Sequence, residues 1–234
     1  MKKIKTLPPE TLETMRAAGE EIQECYRVLG KTGDNVVGEL LRDQGTFYEW
    51  NHYPKGDIYD HATHSQYFYH AHAKGQRKGE HGHFHTFLRA KGMAAGVVPV
   101  VYEGEAEWPE GDSALSHLIS ISMDAKGFPI GLFTVNRWVT GEAWYTAEDV
   151  INMLVRFNID HASPSWPANR WITAMLRLFQ PQIIDLVRKR DVVVADWQRK
   201  YPDRDVYEDR DFEIASQTAI SVDRQIAGVR AAIG

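Results

Sequence analysis

The chain has 234 residues, of which 43% are hydrophobic and 25% charged, and it carries 27 Lys+Arg against 32 Asp+Glu for a formal net charge of −5. This size and composition are typical of a globular protein with a substantial core, and the acidic balance argues against a nucleic-acid-binding surface. The single cysteine, Cys25, excludes an internal disulfide framework and a cysteine-based zinc site.

The beginning of the chain and its apolar runs bear on where the protein resides. The basic start MKKIK is not followed by the apolar segment of a secretion signal. The longest apolar runs, such as that in 92–102, are far too short to cross a bilayer. We therefore expect a cytoplasmic protein without a membrane partner.

The first part of the chain, 1–45, predicts helices. Segment 8–30 opens with prolines, can end at Gly30, and spaces its apolar residues three or four positions apart; these are Leu12, Met15, Ile22, Tyr26 and Leu29. A second, short helix is expected to begin near Asp34, which is a suitable N-cap.

The middle part, 46–145, predicts antiparallel strands. The aromatic segment 47–60 is interrupted by proline and glycine, which predicts strand, turn and strand. SQYFYHAHA (65–73) and EHGHFHTFLR (80–89) flank a charged connection with glycine, which is typical of a β-hairpin. Segment 92–102 is predicted to be a further strand.

A second hairpin is predicted from SHLISISMD (116–124) and FPIGLFTVNRW (128–138). Strict alternation along its first strand places His117 on the same face as Ile119, Ile121 and Met123, and Leu118 on the other face with serines.

The last part, 146–234, has helical periodicity. Thr146 and Asp149 form a capping box, a longer helix begins near Ala168, and Pro181 is expected to kink or end it. The tail is also predicted to be helical, with a strand over 212–222 as the competing interpretation.

The order of these elements predicts an α+β fold. Helices at both ends would cover an antiparallel sheet that contains at least two hairpins. No polar linker separates a second unit, so we expect one domain over 1–234.

Eight of the ten histidines lie between His52 and His85, and five of them alternate along the first predicted hairpin: His70, His72, His81, His83 and His85. If Gln76 and Arg77 form the hairpin tip, His72 stands opposite His81 and His70 opposite His83. All five imidazoles would then project from one side, with Tyr67, Tyr69, Phe84 and Leu88 on the other. A register shift of one residue would separate the two sets.

This arrangement favours a metal site. Imidazole is the commonest protein ligand for transition metals, and the lack of thiolates favours divalent iron, zinc, copper or nickel. Five histidines exceed what one tetrahedral ion uses, so some would face substrate, a second ion or the outer shell. His117 could reach the site from the second hairpin. The competing interpretation is a set of histidines on the solvent face of a sheet, without a ligand.

Three further residues are candidates for catalysis. Glu80 begins the histidine strand and is the first candidate for a general acid/base or a carboxylate ligand, followed by Asp57, although both suit a surface turn. Arg137 follows a predicted strand and could bind an anionic substrate, although a surface ion pair is the favoured explanation. Four side chains are expected to surround the imidazoles: Trp50, Tyr67, His117 and Arg137.

The histidine stretch also has another interpretation. HGHFHTF (81–87) resembles the histidine-triad motif of nucleotide hydrolases and transferases, which implies a nucleophilic His83. The resemblance covers seven residues, Gly82 and Thr86 depart from its apolar positions, and it gives His70 and His72 no role. The chain as a whole, through YHAH and EHGHFHTF, resembles an uncharacterised bacterial family, a domain of unknown function, and this resemblance implies no activity.

The sequence thus predicts a metal-dependent protein, favoured as an enzyme, that acts on a small anionic or aromatic substrate. Oxidoreductase chemistry is slightly preferred over hydrolysis. The alternatives are a metal carrier or sensor without turnover, and a histidine-triad-like phosphohydrolase. Assembly into a homo-oligomer is left open.

Overall fold

The computed structural model describes residues 4–73 and 77–234, and this part of the chain forms seven α-helices and one six-stranded sheet. The helices are α1 Pro9–Gly30, α2 Val36–Leu41, α3 Arg137–Thr140, α4 Ala147–Leu154, α5 Trp166–Leu178, α6 Gln180–Lys200 and α7 Val222–Ile233. The strands are β1 Tyr53–Tyr59, β2 Ser65–His70, β3 Gly82–Arg89, β4 Leu115–Met123, β5 Pro129–Val135 and β6 Ile214–Ala219. The predicted α+β class is confirmed.

The sheet is antiparallel throughout, and its strands lie in the order in which they occur in the chain. Both predicted hairpins are present, as β2–β3 and β4–β5. β6 returns after the helices to pair with β5. The histidine strand β3 therefore lies in the interior of the sheet, where neighbouring strands on both sides fix its register.

The two faces of the sheet differ in chemistry. The core face carries Tyr67, Tyr69, Phe84, Leu88, Ile119 and Ile121, and it belongs to the main hydrophobic core together with α1 and α5. Phe84, for example, contacts Trp171 of α5 with ring centroids 5.3 Å apart. The histidine face carries Phe68, His70, His83, His85, Ser120, Ser122 and Phe133, which are paired across the strands.

Two predicted strands are wrong. Residues 92–102 form no strand, because β3 and β4 pair directly with each other and leave no position between them. Val98 and Val101 in that segment are 68% and 89% exposed. Segment 47–60 contains one strand, β1, since the residues before Tyr53 form a turn.

The predicted helix over the C-terminal tail is also wrong in its first half. Pairing with β5 makes Ile214–Ala219 a strand, and Ser221 then caps α7 by accepting a hydrogen bond from the Arg224 amide. Tertiary pairing has overridden the helical periodicity, so the competing strand interpretation is the correct one. The short helix α2 is capped by Asn35 rather than Asp34, through hydrogen bonds to the amides of Val37 and Gly38.

The helices between β5 and β6 agree with the sequence prediction. Thr146 and Asp149 form the capping box of α4, and Pro181 lies in the first turn of α6, directly after α5 has ended. Within 4–73 and 77–234, no helix combines the length and apolarity that a membrane span needs.

A bulge changes the face that His117 occupies. Thr86 pairs with Ile119, but the next residue, Phe87, pairs with His117, so Leu118 is an extra residue in β4. His117 therefore lies on the histidine face, and its predicted position beside Ile119, Ile121 and Met123 is wrong.

Candidate metal centre

The β2–β3 hairpin brings the central histidine pair together. His70 and His83 are direct partners in the sheet, as the predicted register requires. Of the two predicted tip residues, Gln76 lies outside the described residues. β2 ends at His70, so His72 follows the strand and reaches the pair from its end.

The Nε2 atoms of these histidines converge. Nε2 of His70 lies 2.7 Å from Nε2 of His83 and 3.3 Å from Nε2 of His72. One ring nitrogen from each of the three lies within 4.8 Å of the others, so the three could hold a metal ion. Tetrahedral zinc with Zn–N bonds of about 2.0–2.1 Å separates its nitrogens by about 3.4 Å. The His70–His72 distance fits this geometry, and the His70–His83 pair needs a small separation of its rings.

Glu80 determines which nitrogen of His83 is available. Its Oε1 atom lies 2.7 Å from Nδ1 of His83, so Nδ1–H donates to the carboxylate and the neutral ring keeps its lone pair on Nε2. Burial raises the pKa of Glu80, while the Ser122 hydroxyl and the Arg77 guanidinium act in the opposite direction. A carboxylate on the far nitrogen of a histidine is the usual outer-shell support of a metal ligand.

His85 continues the cluster towards the interior of the sheet face. Its Nε2 lies 3.1 Å from Nε2 of His83. Its Nδ1 lies 2.9 Å from the Ser120 hydroxyl and 3.2 Å from Nε2 of His117. The backbone amide of His117 in turn donates to the buried carboxylate of Glu142. Nε2 of His85 is thus a fourth nitrogen beside the three. Ser120 and His117 fix the orientation of its ring through Nδ1.

Burial keeps these imidazoles neutral. The pKa of His70 falls to about 2, first through burial and then through the neighbouring His83 and His72. Burial likewise lowers the pKa of His83 and His85 well below the usual value and that of His117 to about 3. Neutral rings present lone pairs, which is the state that metal binding requires.

His81 does not join the other imidazoles. It precedes the first residue of β3, and its Nδ1 lies 2.6 Å from the Tyr69 hydroxyl, which belongs to the core face. Gly82 permits this contact, because a Cβ there would lie 2.5 Å from both the Tyr69 oxygen and the His70 carbonyl. The expectations that His72 stands opposite His81 and that all five imidazoles share one side are therefore wrong.

Two other residues expected near the site lie elsewhere. Tyr67 is buried in the core face, where its hydroxyl donates to Asn169. Arg137 is buried, donates to the Glu142 carbonyl 2.8 Å away, and forms an ion pair with Glu208. These contacts give Arg137 a structural role, in which it anchors the segment that follows β5.

Two aromatic side chains before β1 stand beside the cluster. Trp50 stacks on His72 with ring centroids 4.4 Å apart, as the sequence suggested for its position near the site. His52 stacks on Phe68 at 3.6 Å, with its ring 5.9 Å from that of His70. Sequence reasoning missed His52, because it precedes the strand and alternation does not apply to it.

A cavity of about 490 Å³ lies near the opposite end of His83, and Arg77, Glu80, Ser122 and Phe133 line part of it. Glu80 contacts His83 through Nδ1, whereas the nitrogen that lies beside Nε2 of His70 is Nε2. This cavity therefore lies beside Glu80 rather than beside the converging Nε2 atoms.

A family model described as Domain of unknown function (DUF6969) matches residues 16–220. No curated protein and no solved structure matches the chain. The matched segment includes the whole sheet and every histidine of the cluster.

Proposed function

The chain belongs to the DUF6969 domain family, which confirms the resemblance to an uncharacterised family, and since that family names no activity we propose one from the site itself. We propose a metal-dependent enzyme in which His70, His72 and His83 bind one divalent transition-metal ion. A small-molecule substrate would approach from the side of Trp50 and His52.

The observation that carries this proposal is the convergence of three Nε2 atoms with a carboxylate behind one of them. Three protein nitrogens and one further position describe a catalytic centre, while a fully protein-filled shell describes a structural one. Polar groups of His83, Ser120 and Ser122 are concentrated on one buried sheet face, and a bound ion would make use of that concentration.

The direction of access supports an enzyme. His83 and His85 are fully buried, whereas His70 and His72 are half-buried at the end of β2. An ion on this cluster would therefore be reached past His70 and His72. Glu80 would hold His83 in the required tautomer throughout the reaction, and it is a positioning residue in this proposal.

The ligand chemistry favours iron, copper, zinc or nickel, because the donors are all imidazole nitrogens. Iron or copper would supply oxidoreductase chemistry, which we prefer slightly, and zinc would supply hydrolysis. The residues of this chain bind and orient the substrate in either case.

A non-catalytic carrier or sensor is the second candidate, and one distance favours it. Nε2 of His85 lies only 3.1 Å from Nε2 of His83, so His85 could fill the fourth position and close the shell. X-ray absorption at the metal edge separates the two functions. The enzyme requires three imidazoles with a water oxygen, whereas the carrier requires four imidazoles.

The proposal is tested by metal content in protein purified without an affinity tag. We expect one ion per chain in the wild type and far less than one in the double variant His70→Ala/His83→Ala, after reconstitution with each of the four metals. The matched control is His61→Ala/His161→Ala, which removes two histidines outside the cluster and should keep the ion.

Circular dichroism of each metal-free variant shows whether the fold is retained, so that a loss of metal is not confused with unfolding. If folded wild-type protein takes up far less than one ion per chain under every reconstitution, the proposal is wrong.

A further inference from the structure

Trp50 is held at the accessible side of the cluster by its own backbone. Its amide donates to the Ala71 carbonyl at 2.8 Å, and Ala71 lies between His70 and His72. Its φ of +72° is a left-handed conformation that an aromatic residue rarely adopts. The side chain stacks on His72, yet 56% of Trp50 is exposed. The indole thus presents an apolar planar surface next to two of the ligands.

His52 is held beside His70 by two contacts of its own, with Phe68 and with Asp57. Its ring lies flat on Phe68, with an interplanar angle of 8°. Its Nδ1 lies 3.0 Å from Oδ1 of Asp57, and the other carboxylate oxygen of Asp57 accepts a hydrogen bond from Gln66 at 2.7 Å. In the tautomer whose Nδ1–H donates to Asp57, Nε2 carries the lone pair and can accept a hydrogen bond. The His52 side chain is 44% exposed.

The backbone of β1 is bent to place Asp57 for this contact. Pairing between β1 and β2 is irregular between Tyr53 and Ile58, and Asp57 has a φ of +60°. Strained residues such as this persist where the surrounding structure enforces them, and they concentrate at functional sites. The structure therefore fixes a planar surface beside His72 and an imidazole beside His70.

We propose that Trp50 and His52 form a substrate-binding wall of the metal centre that selects a planar aromatic compound bearing a hydroxyl group, the phenol class. The ring of the substrate stacks on the indole of Trp50. Its hydroxyl donates a hydrogen bond to Nε2 of His52 and turns its oxygen towards the three ligand histidines. This inference rests on the proposed function, since it assigns the substrate of that centre.

The groups around the wall favour this class over an anion. The side chains beside the ligands are indole and imidazole, and the nearest fixed charge of His52 is the carboxylate of Asp57. The Arg77 guanidinium is already placed over the Phe133 ring and paired with Glu213 at 2.7 Å. A neutral hydroxyl and an aromatic ring match an acceptor and a planar apolar surface.

Three small probes separate the two parts of the wall. Phenol has both the ring and the hydroxyl, cyclohexanol lacks the aromatic ring, and toluene lacks the hydroxyl. Binding to zinc-loaded, full-length protein is measured by chemical-shift titration. We expect phenol to bind at least about fivefold more tightly than either of the others, in line with the usual strength of an aromatic contact.

Two variants and a control connect the selectivity to its residues. Trp50→Leu should reduce the preference for phenol over cyclohexanol, and His52→Leu should reduce the preference for phenol over toluene. Trp166→Leu is the matched control, since Trp166 is equally exposed at 56% but stacks with Arg170 on α5, and it should leave both preferences unchanged.

The zinc content of every sample is measured alongside, so the two proposals fail in different ways. One zinc ion per chain with equal binding of the three probes, or with selectivity that Trp50→Leu and His52→Leu leave unchanged, overturns the substrate assignment and leaves the metal centre standing. If the folded protein takes up neither zinc nor iron, copper or nickel on reconstitution, both proposals are overturned.

Discussion

The two faces of the sheet are built from the same strands but differ in what their residues do. On the core face, Tyr67, Phe84 and Ile121 pack with α1 and α5 into the hydrophobic core, where burial stabilises the fold. On the histidine face, His83, His85 and Ser120 are buried as deeply, yet their contacts are polar. Burying polar groups weakens a fold unless every group is satisfied.

Within one strand, residues that stabilise the fold therefore alternate with residues of the proposed metal centre. Residues at even positions of β3, such as Phe84, hold the helices, while His83 and His85 at odd positions carry the cluster. Under the proposed function, the polar face is the one that binds the metal ion. Substitutions on the two faces should therefore affect different measurements.

The largest effect should come from Phe84→Ala, which removes a buried ring that contacts Tyr69 and Trp171. We expect a loss of about 3–5 kcal/mol in the free energy of unfolding, measured by urea denaturation. The paired variant is His83→Ala, which should abolish metal binding but cost less than half as much stability in metal-free protein, because water can enter its polar surroundings. Equal stability losses for both variants would contradict the division between the faces.

The next largest effect on stability should come from Glu142. This residue follows β5, and its carboxylate accepts a hydrogen bond from the His117 amide on the histidine face. Burial raises the pKa of Glu142 from its usual 4.5 to about 7, although the charges of Arg190 and Arg137 and the hydrogen bonds from His117 and Thr140 act in the opposite direction. The folded protein therefore binds a proton that the unfolded chain releases, and stability falls as pH rises between about 4.5 and 7.

Glu142→Gln keeps the size of the side chain and removes this ionisation. Compared with wild type, the variant should be about equally stable at pH 4.5 and more stable at pH 8, by up to about 3 kcal/mol. Urea denaturation of metal-free protein at both pH values measures the difference. A stability gap between the two proteins that does not grow with pH would contradict the assignment.

A third test addresses the place where the two faces meet. Gly82 begins β3, and a Cβ there would lie 2.5 Å from the His70 carbonyl and the Tyr69 oxygen. Gly82→Ala should therefore cost about 1–3 kcal/mol of stability and also weaken metal binding, because His70 is a partner of His83. Gly131→Ala is the control, since its nearest contact would be 3.4 Å, and it should change both measurements little.

The sequence predicts the two faces well because alternation on a paired strand is a local rule. The register of His70 with His83 and the packing of Tyr67, Tyr69 and Phe84 both follow from it. The rule fails where pairing is interrupted. His81 lies before the first residue of β3, and His117 lies beyond the bulge at Leu118.

The rest of the site depends on contacts that no local pattern encodes. Glu80 reaches His83 from the turn before β3, where strand alternation does not apply. His52 reaches the cluster through Asp57, whose left-handed backbone belongs to the irregular pairing of β1. Tertiary pairing likewise decided the strand β6 against its helical periodicity.

The smallest effect, and the one that tests function without stability, should come from Glu80→Gln. The variant keeps an oxygen that can accept from Nδ1 of His83 but loses the negative charge, so metal affinity should fall about tenfold, at the lower end of outer-shell effects. Competition with a chelator measures the affinity. Because the pKa of Glu80 is raised by burial, removing its charge should leave the free energy of unfolding unchanged or slightly higher. Glu213→Gln is the control, because it removes the other carboxylate beside Arg77 and should not alter metal affinity. An equal loss of metal affinity in both variants would mean that Glu80 acts through the local charge rather than through His83.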